Sequence, residues 1–251
     1  MVATSMTGTR PGRHAFYVGM AGLFVVMAFG GFVPTYWARI SAPGFHANPI
    51  VHIHGALFFF WTLYFFAQTA LVALGRTPDH RSWGLAGISL GTLMAVSIVL
   101  ATINSMVTGQ AAGFAVEGRE FAIVPLGALP LFVGFFAAAI ANVKRPETHK
   151  RYMLMTMIPL MHAAMFRLYQ VYFAPAGPPG PPAASHQVPP GLFVDLLIVA
   201  AMAYDWRTRG RPHRVYWIAL PLCLGEQVVS SYFGPTQAWL SIAAWVQHWA
   251  A

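Results

Sequence analysis

The chain has 251 residues, of which 57% are hydrophobic and only 9% are charged. A soluble domain usually carries about 25% charged residues, so this chain cannot cover a surface that faces water. Its net charge of +8 would suit a nucleic-acid partner, but the basic residues cluster between apolar segments, which argues against such a partner. The composition therefore predicts an all-α, polytopic transmembrane helix bundle that contacts the lipid bilayer.

Apolar segments long enough to be membrane helices recur along the whole chain, which predicts one transmembrane domain over residues 1–251. A span needs about 20 mainly apolar residues. The seven segments that meet this condition cover residues 14–36, 49–75, 82–107, 121–143, 150–173, 190–206 and 214–233. The first follows Arg10 and Arg13, as in a signal peptide, but its apolar run is too long for one and predicts a retained anchor helix.

The basic residues predict the orientation of these helices. Cytoplasmic loops of membrane proteins carry an excess of lysine and arginine. Of the 15 basic residues, all but Arg39, Arg119 and Arg167 fall on the side of the N-terminus. This distribution predicts a cytoplasmic N-terminus and an outer C-terminus, with the protein in the cell (inner) membrane.

Two segments outside the predicted spans have a distinctive composition. Residues 174–190 hold seven prolines and predict a semi-rigid outer loop of polyproline type, either a plain connector or a docking epitope for a partner. Residues 235–251 are too short to span a membrane at about 1.5 Å per residue. Because they contain Trp239, Trp245 and Trp249, they predict a tail that lies along the outer interface.

Two of the predicted helices begin with similar residues, at 78–81 and at 146–151. Each start contains a proline, an acidic residue, a histidine and an arginine. Proline and an acidic residue are favoured in the first turn of any helix, but nothing in helix capping requires histidine. The recurring residues His80 and His149 are therefore candidate functional residues, and the alternative is that both are solvated residues at helix ends.

Four motifs of the chain are His52-Ile53-His54-Gly55, His80-Arg81, His149-Lys150-Arg151 with Met153, and Arg167-Leu168. Together they resemble the motifs of a large bacterial family of uncharacterised polytopic membrane proteins with paired His-Arg helix starts. The resemblance covers roughly residues 50–170, and Lys150 is inserted between histidine and arginine at the second start. Some members of the family look like oxidase-assembly or haem-handling proteins. The resemblance thus implies a helix bundle with important histidines and names no reaction.

Ionisable residues inside apolar segments are costly in a membrane and are functional candidates by default. From the rise of a helix, about 1.5 Å per residue, we expect His54, His162 and Glu226 to lie in one layer of the outer leaflet. His52 and His54 diverge by about 200° around a helix, so only one of them can face a given site, and the deeper His54 is favoured. The ionisable residues in question are His52, His54, His162, Arg167, Asp195 and Glu226.

The histidines predict haem b as a cofactor, because axial ligation needs one imidazole from each of two facing helices at equal depth. The first predicted pair is His54 with His162, in the outer leaflet. The second is His80 with His149, at the cytoplasmic helix ends. The 13-residue separation of His149 and His162 resembles the two-layer histidine spacing of transmembrane di-haem cytochromes b.

Copper or another transition metal is the alternative cofactor. Met165 shares a helical face with His162, and a thioether together with an imidazole suits copper. The candidate metal ligands are His52, His54 and His162. Glu226 could complete a site of histidine and carboxylate, or relay protons beside Arg167, so these two residues are the catalytic candidates.

The predicted function is that of a membrane redox protein or a haem- or metal-handling protein, which could act with other membrane subunits or a redox partner. One alternative is a transporter or channel for a small solute or proton, because prolines interrupt several spans that carry polar residues. A second alternative is a metal-dependent membrane hydrolase with Glu226 as its base. The path of the transporter would include His162, Arg167, Asp195 and Glu226.

Overall fold

The computed structural model describes residues 12–175, 177 and 179–248, and over these residues the protein is all-α, without strands. Arg10, Pro178 and Trp249, which entered the predictions above, lie outside the described residues. The α-helices are α1 (Gly12–Gly31), α2 (Pro49–Ala73), α3 (Thr77–Ala111), α4 (Ala115–Phe121), α5 (Ile123–Ala141), α6 (Pro146–Tyr172), α7 (Val188–Arg209), α8 (Arg214–Phe233) and α9 (Gln237–His248). A π-helical turn, Val33–Trp37, extends α1, and a 3-10 helix, Ala184–Gln187, precedes α7.

Five helical segments in the described part of the chain are long and apolar enough to cross a membrane, which indicates a membrane protein in contact with lipid. They are His14–Trp37, Pro49–Ala73, Thr77–Ala111, Ala115–Ala141 and Ala184–Arg209. The expected spans at 150–173 and 214–233 form α6 and α8, which are helical but are not among these five. The sixth expected span, 190–206, lies within the longer segment Ala184–Arg209.

Helix α6 lies at the centre of the bundle, where it packs against α1, α5, α7 and α8. Its buried face includes Leu154, Met157, Ile158 and Met161. Neighbouring helices cover this helix, so it tolerates charged and polar residues that a lipid-facing helix would not carry. This location explains why α6 is less apolar than the five segments above.

Proline and short polar caps determine where several helices begin. Pro49 follows Asn48, whose side-chain oxygen accepts a hydrogen bond from the Ile50 amide at 3.1 Å. Pro78 and Pro146 stand in the first turn of α3 and α6. A proline in the first turn lacks only an amide that would have no helical partner. We call the end of the bundle at which α1, α3, α6 and α8 begin the basic end.

The structure corrects the predicted outer loop of residues 174–190. The irregular segment ends at Ala183, since Ala184–Gln187 is helical and α7 begins at Val188. Pro189 and Pro190 therefore lie in the first turn of a long helix, where proline is tolerated.

Residues 235–248 pack against the helix bundle, whereas the sequence predicted a tail that lies along the outer interface. Helix α9 packs against α4 and α3. The indole nitrogen of Trp239 donates a hydrogen bond to the Arg119 carbonyl at 2.8 Å, and Arg119 Nε donates to Gln247 at 2.9 Å. Trp245 remains exposed. The amphipathic helix thus has one face against the bundle and one face outside it.

Candidate functional site

Two of the predicted histidines, His80 and His149, meet at the basic end. Their rings are 6.2 Å apart between centroids, with their planes at 72°. His80 lies in the first turn of α3 and His149 in the first turn of α6. The two similar helix starts therefore bring their histidines into contact, as the second predicted ligand pair requires.

The hydrogen bonds of this pair leave ring nitrogens available. The Nδ1 atom of His149 donates to the carbonyl of Ala139 on α5 at 2.8 Å, so its Nε2 atom keeps an unprotonated lone pair in the neutral ring. The Nδ1 atom of His80 is buried and has no hydrogen-bond partner among the described residues. A ligating histidine commonly donates its second ring nitrogen to a backbone carbonyl, which fixes the ring orientation. His149 has this arrangement.

His52 and His54 point in different directions, as their helical spacing predicts. His52 Nδ1 lies 2.8 Å from the hydroxyl of Tyr36, after the end of α1. His54 Nδ1 lies 3.0 Å from the hydroxyl of Ser97 on α3. That hydroxyl donates its proton to the Met94 carbonyl, so His54 must donate to Ser97.

His162 lies elsewhere, beside a small cavity between α5, α6, α7 and α8. Its Nε2 atom donates to the Gln187 carbonyl at 2.8 Å. The cavity is also lined by Asp195 of α7 and by Glu226 of α8. Gln227 donates to Asp195 at 2.8 Å, and Ser230 donates to Glu226 at 2.6 Å. The predicted intramembrane carboxylates therefore share one site with His162.

The structure does not show His54 and His162 as a facing pair. Helix α2, which carries His54, packs mainly against α1 and α3, whereas α6 packs against α1, α5, α7 and α8. Each imidazole is hydrogen-bonded to a different neighbour. Equal depth along two helices is thus not enough to bring two histidines together, because the rotation of each helix about its axis determines the direction of its side chain.

Arg167 does not pair with Glu226, contrary to the predicted proton relay. It donates to the Ala163 carbonyl at 3.0 Å, and its guanidinium lies 4.3 Å from the centre of the Phe32 ring. Arg167 is also absent from the described residues that line the His162 cavity. Nor do the described residues contain a group of three or more His, Cys, Asp or Glu side chains arranged to hold a metal ion.

The basic end contains a network of charged side chains that was not predicted from the sequence. Arg151 forms a buried ion pair with Asp205 of α7 and a second pair with Glu147 at 2.8 Å. Lys150 and Arg209 also contact Glu147, at 2.7 Å and 3.1 Å. An aspartate at the end of an apolar helix, in a segment otherwise rich in arginine, was the signal that could have identified Asp205.

This network changes the acidity of Glu147. Burial by itself would raise the pKa of Glu147, but hydrogen bonds and charge from Lys150 and Arg151 outweigh it and lower the pKa to about 2. Glu147 therefore stays ionised at neutral pH. It holds the start of α6 beside the end of α7.

Comparisons of the chain with protein-family models, with curated proteins and with solved structures found no match. The two candidate sites of the protein are therefore the His80–His149 pair and the His162 cavity.

Proposed function

We propose that the protein is a membrane-embedded redox or haem- or metal-handling protein whose metal centre is held by His80 and His149. The observation that carries this proposal is the contact between the two imidazole rings, 6.2 Å apart, from two helices that begin with the same residue pattern. Both histidines are half-buried, and the buried Nδ1 atom of His80 has no hydrogen-bond partner among the described residues, which is costly. A metal bound between the rings would satisfy this nitrogen.

The residues present fit a centre with two imidazole ligands. His80 offers a buried nitrogen without a partner in the described part of the chain, and His149 offers Nε2 because its Nδ1 is bonded to Ala139. Imidazole pairs suit haem iron and copper alike. Either centre would supply one-electron transfer when bound. The protein's own residues would hold the centre, orient both rings and exclude water from it.

The same proposal includes the topology. Seven spans, formed by α1–α3 and α5–α8, with the N-terminus in the cytoplasm, agree with the concentration of lysine and arginine at the basic end. The His80–His149 pair then lies at the cytoplasmic face of a bacterial inner membrane. A soluble redox partner or a second membrane subunit would reach the pair from that side.

Absorption spectroscopy of the purified full-length protein tests the proposal. We expect a Soret band that shifts on addition of dithionite if the centre is haem, or stoichiometric copper in metal analysis if it is a copper ion. Both His80→Ala and His149→Ala should lose the signal, since neither ligand has a substitute. His186→Ala, at an exposed histidine of the 3-10 helix Ala184–Gln187, is the matched control and should keep it.

The retention of the cofactor signal in different histidine variants distinguishes this centre from the outer pair of His54 and His162. His54→Ala and His162→Ala should retain the cofactor signal, because neither side chain contacts the His80–His149 pair. A protein that binds neither haem nor metal would overturn the proposal. So would loss of the signal in His162→Ala with full retention in His149→Ala.

A further inference from the structure

The cavity beside His162 is a second, independent site with room for one small molecule. Its volume is about 20 Å³, which is enough for a single water. It lies within the helix bundle, and Pro159 of α6 forms part of its wall. A proline within a helix removes a backbone hydrogen bond and leaves one carbonyl of the preceding turn without its usual donor. The side chains of His162, Asp195, Glu226 and Gln227 make the cavity polar on several sides.

One buried amide oxygen at this cavity lacks a partner. Gln187 is 0% exposed and its side-chain amide faces the Glu226 carboxylate. Gln227, which lines the cavity, is 4% exposed, and its Oε1 atom is without a partner in the described chain. Such groups are rare in proteins, and a bound water or ion commonly accounts for them.

Two glycines allow these polar side chains to reach their positions. A Cβ atom on Gly191 of α7 would lie 2.6 Å from the Gln227 side-chain oxygen. A Cβ atom on Gly127 of α5 would lie 2.7 Å from the Glu226 carboxylate. The amide and the carboxylate therefore pack directly against helix backbone, so the site requires glycine on both neighbouring helices.

The charges that face the cavity are acidic. Asp195 faces it from α7, Glu226 from α8 and His162 from α6, while the thiol of Cys223 completes the titratable groups on α8. Helix α5 contributes Ala128 and Leu131. No arginine or lysine is among the described residues that line it. Two ionised carboxylates would repel each other strongly in such a low-dielectric site, and uptake of one proton removes that repulsion.

We propose that this cavity is a membrane-embedded proton-binding site, in which one internal water links Asp195 to Glu226 and the pair shares a single proton. Uptake forms one O–H bond on a carboxylate oxygen and breaks one O–H bond of a hydronium ion from the bulk solution, which becomes water. The neutral His162, which donates to the Gln187 carbonyl, keeps Nδ1 as an acceptor beside the site. This site is separate from the His80–His149 pair, and its assignment does not depend on any metal.

Infrared difference spectroscopy of the full-length protein in lipid, recorded as a function of pH, tests this assignment. The wild type should show the C=O stretch of a protonated carboxyl near neutral pH, shifted in D₂O. In Glu226→Gln and in Asp195→Asn the band should disappear at a lower pH, because the remaining carboxyl has lost its repelling neighbour. The double variant should lose the band completely. Glu117→Gln, at an exposed glutamate, is the control and should titrate as the wild type does.

Other outcomes would overturn the assignment. A band that persists in the double variant would belong to another carboxyl. A band displaced by sodium or ammonium at constant pH would show that the cavity binds a small cation instead of a proton. Both substitutions nearly preserve side-chain volume, and helix content measured by circular dichroism on the same samples identifies a variant that has failed to fold. If one single variant fails to fold, the pH shift of the other single variant still tests the assignment, because the two shifts are measured independently.

Discussion

Arg151 and Asp205 form a fully buried ion pair between the start of α6 and the end of α7. Their side chains are 1% and 0% exposed, and Arg151 Nε donates to Asp205 Oδ2 at 2.8 Å. Asp205 also accepts the backbone amide of His213 at 3.0 Å, just before α8 begins. One carboxylate thus ties together three helices of the bundle at the basic end.

Removing one member of this pair should destabilise the protein strongly. Asp205→Asn leaves the buried Arg151 with only the half-exposed Glu147 as its ion-pair partner, and Arg151→Met removes the arginine that pairs with the buried Asp205. We expect each to cost about 3–5 kcal/mol in the free energy of unfolding. Unfolding in mixed micelles with increasing denaturing detergent measures it. Asp79→Asn is the control, because Asp79 and Arg76 form an exposed pair that contributes less than about 1 kcal/mol. Equal losses in Asp79→Asn and Asp205→Asn would contradict the argument.

Stability at low pH should depend on Glu147. Its pKa falls from 4.5 to about 2 in the folded protein, so its ionised form stabilises the fold above pH 4.5. That contribution is lost as the pH falls through about 2. Glu147→Gln should therefore lower the melting temperature at neutral pH and show a smaller further decrease on acidification than the wild type. A parallel pH dependence in both proteins would show that the ion pairs of this half-exposed residue are too weak to matter.

Two adjacent glycines at the end of α1 should respond oppositely to alanine. A Cβ atom on Gly31 would lie 2.6 Å from the Ala164 Cβ and 2.7 Å from its carbonyl oxygen, so α1 and α6 would have to separate. We expect Gly31→Ala to cost about 1–3 kcal/mol of stability. Gly30→Ala meets no described atom within 4 Å and should be neutral or slightly stabilising, because alanine favours helix. Detergent unfolding of both variants measures the difference, and similar values would refute the close helix contact.

Cysteine labelling tests the proposed orientation. The only native cysteine, Cys223, is buried and should give little background. Val143→Cys, in the exposed turn between α5 and α6, should react with an impermeant maleimide only after the membrane is opened. Ala112→Cys, exposed after the end of α3, should react in intact cells. The reverse pattern would invert the topology and place the His80–His149 pair outside the cytoplasm.

Local sequence signals were sufficient for the class of fold and for much of the helix pattern. Long apolar runs predict helices, and prolines such as Pro49 and Pro146 mark helix starts because their missing amide costs nothing there. The divergence of His52 and His54 also follows from helical period alone. These properties depend on residues close together in the chain, so they can be read without knowing which helices are neighbours.

Contacts between helices were decided only in the tertiary structure. Depth predicted that His54 and His162 would match, but their helices rotate them toward Ser97 and Gln187. No role was predicted for Asp205 from the sequence. Its partner Arg151 is buried by packing that no local pattern specifies. Helix rotation and helix neighbours depend on side-chain packing across the whole bundle, where small residues such as Gly31 set how closely two helices approach. The contact of His80 with His149 is a result of that packing.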